Sequence, residues 1–211
     1  VLPPEELKIA AWRNARVLLD HGFTSAYSAG ALGDGIEVDL ARAIEAGETP
    51  GPRLIPSTLE RSPEGAEGVE TGDVFNGRGP DAIRKFVGFC KDSGVRSLKL
   101  VISGEDALKP GSAADIHYTN EEMAAAGEAA RDAGLWIATH AYYPDAIRLA
   151  LNAGARIIYH ASYADQAAAD AMVAARDTTF YAPSPGVSIA ALEASPPPHI
   201  DMSHMKASAA E

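Results

Sequence analysis

The sequence predicts an α/β fold in which helices cover a parallel sheet, and two observations lead to that class. Amphipathic helical segments alternate with short strands rich in apolar and β-branched residues, and the units recur at spacings of roughly 20 to 40 residues. A glycine usually separates each helix from the strand that follows it, as Gly22 does. With six such strands, the predicted architecture is a single (β/α) barrel domain over residues 1–211, short of a complete (β/α)8 barrel by about two strands.

Each helix–strand unit has its own local signals. The first helix opens with two prolines and two glutamates, which suit a first helical turn, and it closes at Gly22. The fourth begins with Thr119 and carries Glu122 three positions later, which is the sequence of a capping box. The predicted helices occupy residues 3–22, 35–47, 80–94, 119–134, 144–154 and 165–177. The strands that follow them occupy, in the same order, residues 23–30, 52–58, 95–104, 135–141, 155–162 and 178–184.

A doubly wound sheet and a barrel both fit this alternation. A doubly wound sheet normally carries a glycine-rich phosphate turn after its first strand, whereas residues 29–35, AGALGDG, lack the G-x-G-x-x-G spacing. A barrel builds its active site from residues at the carboxyl ends of its strands. Lys99, His140 and His160 lie in or at the ends of three consecutive predicted strands. We therefore favour the barrel, with a nucleotide-binding sheet as the alternative.

Two long segments interrupt the alternation, residues 59–79 and residues 104–118, and both are rich in glycine and charge. Each follows a strand, where α/β proteins place functional loops, so we expect both to shape a pocket. The tail, residues 193–211, is proline-rich and then weakly helical, and it provides no further strand.

Composition narrows the classes of function. The 29 acidic and 18 basic residues give a net charge of −11, which opposes binding to nucleic acid. The single cysteine, Cys90, excludes an internal disulfide and a thiolate metal cluster, and we expect it to pack in the core. No apolar run approaches the roughly 20 residues that a membrane span needs, and the first residues lack signal-peptide features. We expect a cytoplasmic protein with a small-molecule substrate and no nucleic-acid or membrane partner; assembly into a homo-oligomer stays open.

Lys99, His140 and His160 carry the candidate chemistry. Neutral imidazole is a good ligand for zinc and similar ions. An unpaired ammonium in an apolar strand is costly, although a lysine in an alternating strand can also face outward. A lysine amine that its surroundings deprotonate can react with carbon dioxide, and the resulting carbamate offers two oxygens to a pair of metals. Three nitrogen-bearing side chains at one end of a barrel therefore predict a metal site.

Four blocks of the sequence resemble the amidohydrolase superfamily, specifically its imidazolonepropionase-like and Xaa-Pro-dipeptidase-like branch. LLDHGFTSAYSAG, residues 18–30, is similar to the branch's LLxxGFTTVRDxG, and residues 39–57 are similar to LRxAIxxGxxPGPRLxxS. SLKLVISG, residues 97–104, matches a block in which lysine precedes Ser-Gly by four residues. Residues 138–162 resemble AxHAxxxxAIxxAxxAGxxxIxHG. The resemblance covers most of residues 4–184, and the last two blocks are the specific ones.

The resemblance implies a metal-dependent hydrolase with a TIM-type barrel. Its reaction would be cleavage of an amide-type C–N bond, in a dipeptide, an N-acyl amino acid, a cyclic amide or a carbamate, by a metal-activated hydroxide. Lys99 would be the carboxylated lysine that bridges the metals, His140 and His160 would be metal ligands, and Tyr142 would contact the substrate. The implied cofactors are one or two divalent metal ions, with zinc the expected metal, and carbon dioxide held as the Lys99 carbamate.

The sequence departs from the family pattern at both ends. The family's first strand ends in H-x-H, and an aspartate after its eighth strand shuttles a proton, but neither feature occurs here. The other histidines do not match motif positions: His21, His117, His199 and His204. We therefore expect a barrel without its first and last strands, either an internal part of a longer protein or a truncated chain, and inactive in isolation. The alternative function is a catalytically incomplete barrel used as a binding or assembly module.

Overall fold

The structure, a computed structural model, describes residues 3–31, 33–63, 76–105, 109, 111–183, 189–190 and 193. In this part of the chain six α-helices alternate with six strands. In chain order they are α1 Pro4–Asp20, β1 Ser25–Tyr27, α2 Ile36–Glu45, β2 Arg53–Ile55, α3 Pro80–Ser93, β3 Ser97–Val101, α4 Asn120–Ala133, β4 Trp136–Ala141, α5 Pro144–Asn152, β5 Ile157–His160, α6 Gln166–Ala174 and β6 Phe180–Ala182. A short 3₁₀ helix, Ser112–Ala114, lies between β3 and α4.

All six predicted helix–strand units are confirmed, and the helix ends fall where local signals predict them. The capping box of α4 is formed: the Thr119 side chain accepts from Glu122 N at 3.1 Å, and the Glu122 carboxylate accepts from Thr119 N at 2.8 Å. None of the described helices combines the length and the apolar character that crossing a membrane requires.

Some sequence predictions fall on residues that the structure leaves undescribed. These are the helical tail beyond residue 193, His199 and His204 within it, residues 64–75 of the first long segment, and residues 106–108 and 110 of the second. The pocket-shaping role of the two long segments and the single-domain organisation therefore stay predictions.

The strands are parallel and follow chain order. β1 pairs with β2, and the other four form a sheet in the order β3-β4-β5-β6. The two sheets meet where the segment after β2 reaches β3, because Arg61 N donates to Lys99 O at 2.9 Å and Val101 N donates to Arg61 O at 3.0 Å. Each described strand thus lies beside its neighbour in sequence, without the reversal of strand order that defines a doubly wound sheet. The fold is a partial barrel, and the doubly wound alternative is wrong.

A continuous apolar core holds the middle strands of the partial barrel in place. It includes fully buried side chains from α3, β3 and α5: Phe86, Leu98 and Ile147. Cys90 is buried in the same core, as predicted. A side chain at Gly127 would collide with the backbone of Ala153, so only glycine lets α4 approach the end of α5 this closely. This packing holds the three strands that carry the candidate residues.

Candidate functional site

Lys99 lies in the middle of β3, a strand whose five residues are all buried. Its side chain is only 3% exposed, so the outward-facing alternative is wrong. The Nζ atom donates to the Ala29 carbonyl at 2.8 Å and to Glu60 Oε1 at 2.9 Å. It also lies 5.0 Å from the centre of the Tyr159 ring. The carboxylate and the carbonyl together compensate the ammonium for the water it loses.

Glu60, which the sequence analysis did not identify, reaches Lys99 because its neighbour Arg61 is anchored in the core. Arg61 is fully buried, and its guanidinium lies between the rings of Phe86 and Tyr118, at 5.7 and 5.5 Å from their centres. Its Nη1 donates to the Tyr118 hydroxyl at 3.1 Å. This anchor and the backbone bonds of Arg61 to β3 hold the segment after β2 in place. The Glu60 carboxylate is thereby carried to the Lys99 ammonium.

The two candidate histidines meet where β4 and β5 end, with ring centres 4.3 Å apart and ring planes at 66°. Lys99 is paired with Ala138, and His140 lies two residues further along β4. His140 is therefore on the same face of the sheet as Lys99. His160 is paired with Ala141, so a fully extended backbone would send its ring to the opposite face. Instead, His160 has φ of 73° and Ala161 has φ of 49°, which ends the alternation at this point. Such left-handed residues cost about 1–3 kcal/mol each and cluster at functional sites.

Both imidazoles are neutral at neutral pH. Burial lowers the pKa of His140 well below its usual 6.5, and repulsion between a protonated His140 and the nearby His160 and Lys99 lowers that pKa further. Burial also lowers the pKa of His160 to about 4, again with a contribution from the Lys99 charge. The Lys99 ammonium therefore lies close enough to act on both rings. Neutral imidazole nitrogens with lone pairs are what a metal ion binds.

Tyr142 and Glu105 complete the cluster at the carboxyl ends of the strands. The Tyr142 ring stacks on His160 at 4.6 Å and meets His140 edge-on at 4.8 Å. Its hydroxyl donates to Glu105 Oε2 at 2.9 Å. The same carboxylate oxygen lies 3.7 Å from His140 Nε2. The sequence analysis missed Glu105, although an acidic residue directly after the end of a strand was a signal that could have identified it.

A divalent metal ion fits one feature of this cluster. His140 Nε2 is buried and has no hydrogen-bond partner in the described part of the chain, which is unusual for a buried polar atom. Within the same residues, no group of three or more His, Cys, Asp or Glu side chains is arranged to hold a metal ion. Lys99 is placed as a paired ammonium, and its carbamate stays a prediction. The structure brings the four predicted site residues into one cluster, while their roles as ligands and as a substrate contact stay predictions.

Comparison with known proteins adds the family context. The model of the amidohydrolase family matches residues 1–204. A Xaa-Pro dipeptidase structure with bound methionine in the active site is 24% identical, with a TM-score of 0.82 over 100% of this chain and 54% of that chain. A prolidase complexed with N-methylphosphonate-L-proline is 25% identical, with a TM-score of 0.80 over 99% of this chain and 54% of that chain.

A third structure, ochratoxinase from A. niger, is 18% identical, with a TM-score of 0.80 over 99% of this chain and 52% of that chain. No curated protein gives a significant match. The chain thus shares the fold of these solved structures and spans about half of their length.

Proposed function

Because the chain belongs to the amidohydrolase family, we propose that it forms the metal-binding part of a hydrolase that cleaves amide-type C–N bonds. The observation that carries this proposal is the contact of two neutral imidazoles, His140 and His160, with ring centres 4.3 Å apart beside a buried lysine. The dipeptidase and prolidase structures that the chain resembles support hydrolysis as the reaction class.

His140 and His160 would hold one or two divalent ions, and zinc is the expected metal because neutral imidazole suits it. When bound, such an ion polarises a carbonyl group and lowers the pKa of a water molecule. Lys99 would take part as a carbamate. For that it must leave its 2.9 Å ion pair with Glu60, because carbamate and carboxylate are both anionic. Tyr142 would contact the substrate from its position over His160.

The substrate would be a small molecule, since the net charge of −11 disfavours a polyanion. Dipeptides, N-acyl amino acids, cyclic amides and carbamates all carry the bond in question. Dipeptides are the first class to test, because two of the similar structures are a dipeptidase and a prolidase.

Because the chain is expected to be inactive in isolation, the test uses the full-length protein. It measures hydrolysis of a dipeptide panel and an N-acyl amino acid panel before chelation, after chelation and after zinc is returned. We expect chelation to abolish turnover and zinc to restore it. His140→Ala should lower kcat/KM at least about 100-fold, because a metal contributes several kcal/mol to the rate. His21→Ala, which removes an exposed imidazole of the connection after α1, is the matched control. Undiminished turnover after thorough chelation would contradict the proposal.

A further inference from the structure

His140 and Glu105 approach each other closely without forming a hydrogen bond. The distance from His140 Nε2 to Glu105 Oε2 is 3.7 Å, which is too long for a hydrogen bond. His140 is only 8% exposed, and its Nε2 has no hydrogen-bond partner within the described residues. A buried nitrogen without a hydrogen-bond partner among the described residues therefore lies 3.7 Å from a carboxylate oxygen.

The hydrogen bonding of the ring shows which nitrogen carries the lone pair. His140 also forms a hydrogen bond with the Gly104 backbone. The Gly104 N–H is already used, because it donates to Asp115 O at 3.3 Å, so the ring donates to the Gly104 carbonyl. That donor is Nδ1, since Nε2 has no partner. In the neutral form of the ring, Nε2 therefore carries the lone pair and lies 3.7 Å from an anionic oxygen, and a cation bound to both atoms would stabilise this arrangement.

We propose that Glu105 is a metal ligand in this protein and that one divalent cation binds between Glu105 Oε2 and His140 Nε2. This inference rests on the proposed function in one respect, which is that the protein binds a divalent ion. Zinc bonds of about 2.1 Å to nitrogen and to oxygen, at a tetrahedral angle, place the two ligand atoms about 3.4 Å apart. The observed separation of 3.7 Å is close to that spacing, so a small movement of the Glu105 carboxylate would complete the pair.

The surroundings of Glu105 hold its carboxylate in place for this role. The Tyr142 hydroxyl donates to Oε2 at 2.9 Å, and the Tyr142 backbone N–H donates to Ser103 Oγ at 3.2 Å, so Tyr142 ties the end of β4 to the end of β3. A side chain at Gly104 would collide with Ser112, so the turn that leads to Glu105 is packed tightly. Tyr142 is thus a positioning residue for the carboxylate, as hydrogen-bonding partners of metal ligands commonly are.

As long as Lys99 is not carboxylated, the Glu60 carboxylate does not compete for this position, because its Oε1 accepts from Lys99 Nζ at 2.9 Å. Glu105 and Glu60 therefore have different roles in the cluster. Glu60 neutralises the buried ammonium, and Glu105 supplies an anionic oxygen beside the neutral imidazole.

The test is Zn²⁺ titration of the purified protein by calorimetry, together with the visible spectrum of the Co²⁺-loaded form. Glu105→Gln removes the anionic ligand, His140→Ala removes its partner, and Glu128→Gln removes an exposed carboxylate on α4 as the matched control. We expect Glu105→Gln to weaken Zn²⁺ binding at least about tenfold, since even outer-shell changes cost 10–100-fold, and to alter the Co²⁺ bands. Glu128→Gln should change neither readout.

The outcomes separate this inference from the proposed function. If Glu105→Gln binds zinc as tightly as the unaltered protein while His140→Ala loses binding, the inference is overturned and the proposed function stands. If the unaltered protein binds no zinc, both are contradicted. If Glu128→Gln weakens Zn²⁺ binding as much as Glu105→Gln does, the effect comes from the change in net charge, and the inference is also overturned. If circular dichroism shows that Glu105→Gln is misfolded, Glu105→Asp takes its place. We expect Glu105→Asp to bind Zn²⁺ more weakly than the unaltered protein, and unchanged binding would overturn the inference.

Discussion

At the residue scale, burial and one nearby positive charge together lower the pKa of the two histidines. The Lys99 ammonium is paired, because the Ala29 carbonyl and the Glu60 carboxylate accept from Nζ at 2.8 and 2.9 Å. That charge adds to burial in lowering the pKa of His140 and His160. The two rings are therefore neutral at neutral pH, which leaves their nitrogens available for coordination.

The lowered pKa of His160 predicts that acid destabilises the metal-free protein. The unfolded ring titrates near 6.5 and the folded ring at about 4, so between these values the unfolded chain binds more protons. Stability therefore falls as the pH drops below 6.5, and the loss is complete below about pH 4. The contribution of His160 is about 3 kcal/mol. Urea unfolding at pH 7.5 and 4.5, with a chelator present, measures it.

Two variants assign this fall in stability to the site. His160→Gln removes the titrating ring and should make the difference between the two pH values smaller by about 2–3 kcal/mol. His21→Gln removes an exposed imidazole and is the matched control. An equal pH dependence in His160→Gln and in the unaltered protein would contradict the assignment.

At the element scale, helix caps and strand ends position the cluster. Glu122 accepts from Thr119 N at the start of α4 and from Gly79 N, before α3, at 2.6 Å, so the two helix starts are tied together. At the strand ends, Ile102 N and Ser103 N both donate to His140 O, at 3.0 and 3.3 Å. The end of β3 is thereby fastened to the residue of β4 that carries the candidate ligand.

Removal of the α4 cap should destabilise the protein without changing the site. Thr119→Ala deletes the oxygen that accepts from Glu122 N at 3.1 Å, and we expect a loss of about 1 kcal/mol in the free energy of unfolding. Urea denaturation measures the loss, with Thr24→Ala, at an exposed position before β1, as the matched control. A difference between the two variants of less than about 0.3 kcal/mol would show that the cap contributes little.

The elements could be predicted because their signals are local, whereas several site contacts could not. Thr119 and Glu122 are three residues apart, and the sequence alone indicates their cap. Glu60 is 39 residues from Lys99, and their contact depends on how the segment after β2 docks on β3. The left-handed backbone at His160 has no glycine to signal it, yet it turns the ring toward His140. The family resemblance identified the residues of the cluster, but not the carboxylates that surround them.

At the scale of the whole molecule, the strands that carry the cluster lie inside the partial barrel and not at its edges. Among the described strands, β1, β2 and β6 each pair with one other strand only, and large apolar side chains of β6, Phe180 and Tyr181, are 57% and 48% exposed. The three strands that carry the cluster are paired on both sides: β3 with β4 and the Arg61 segment, β4 with β3 and β5, and β5 with β4 and β6. The geometry of the cluster therefore belongs to the described part of the barrel.

The most direct measurement is anomalous diffraction at the zinc absorption edge from crystals of the protein grown with zinc. The central claim is that His140 and His160, beside Lys99, bind a common cation. It predicts an anomalous peak about 2.1 Å from His140 Nε2, with a ring nitrogen of His160 in the same metal site. A zinc peak bonded to neither imidazole, or crystals in which both rings stay unbonded at saturating zinc, would contradict it.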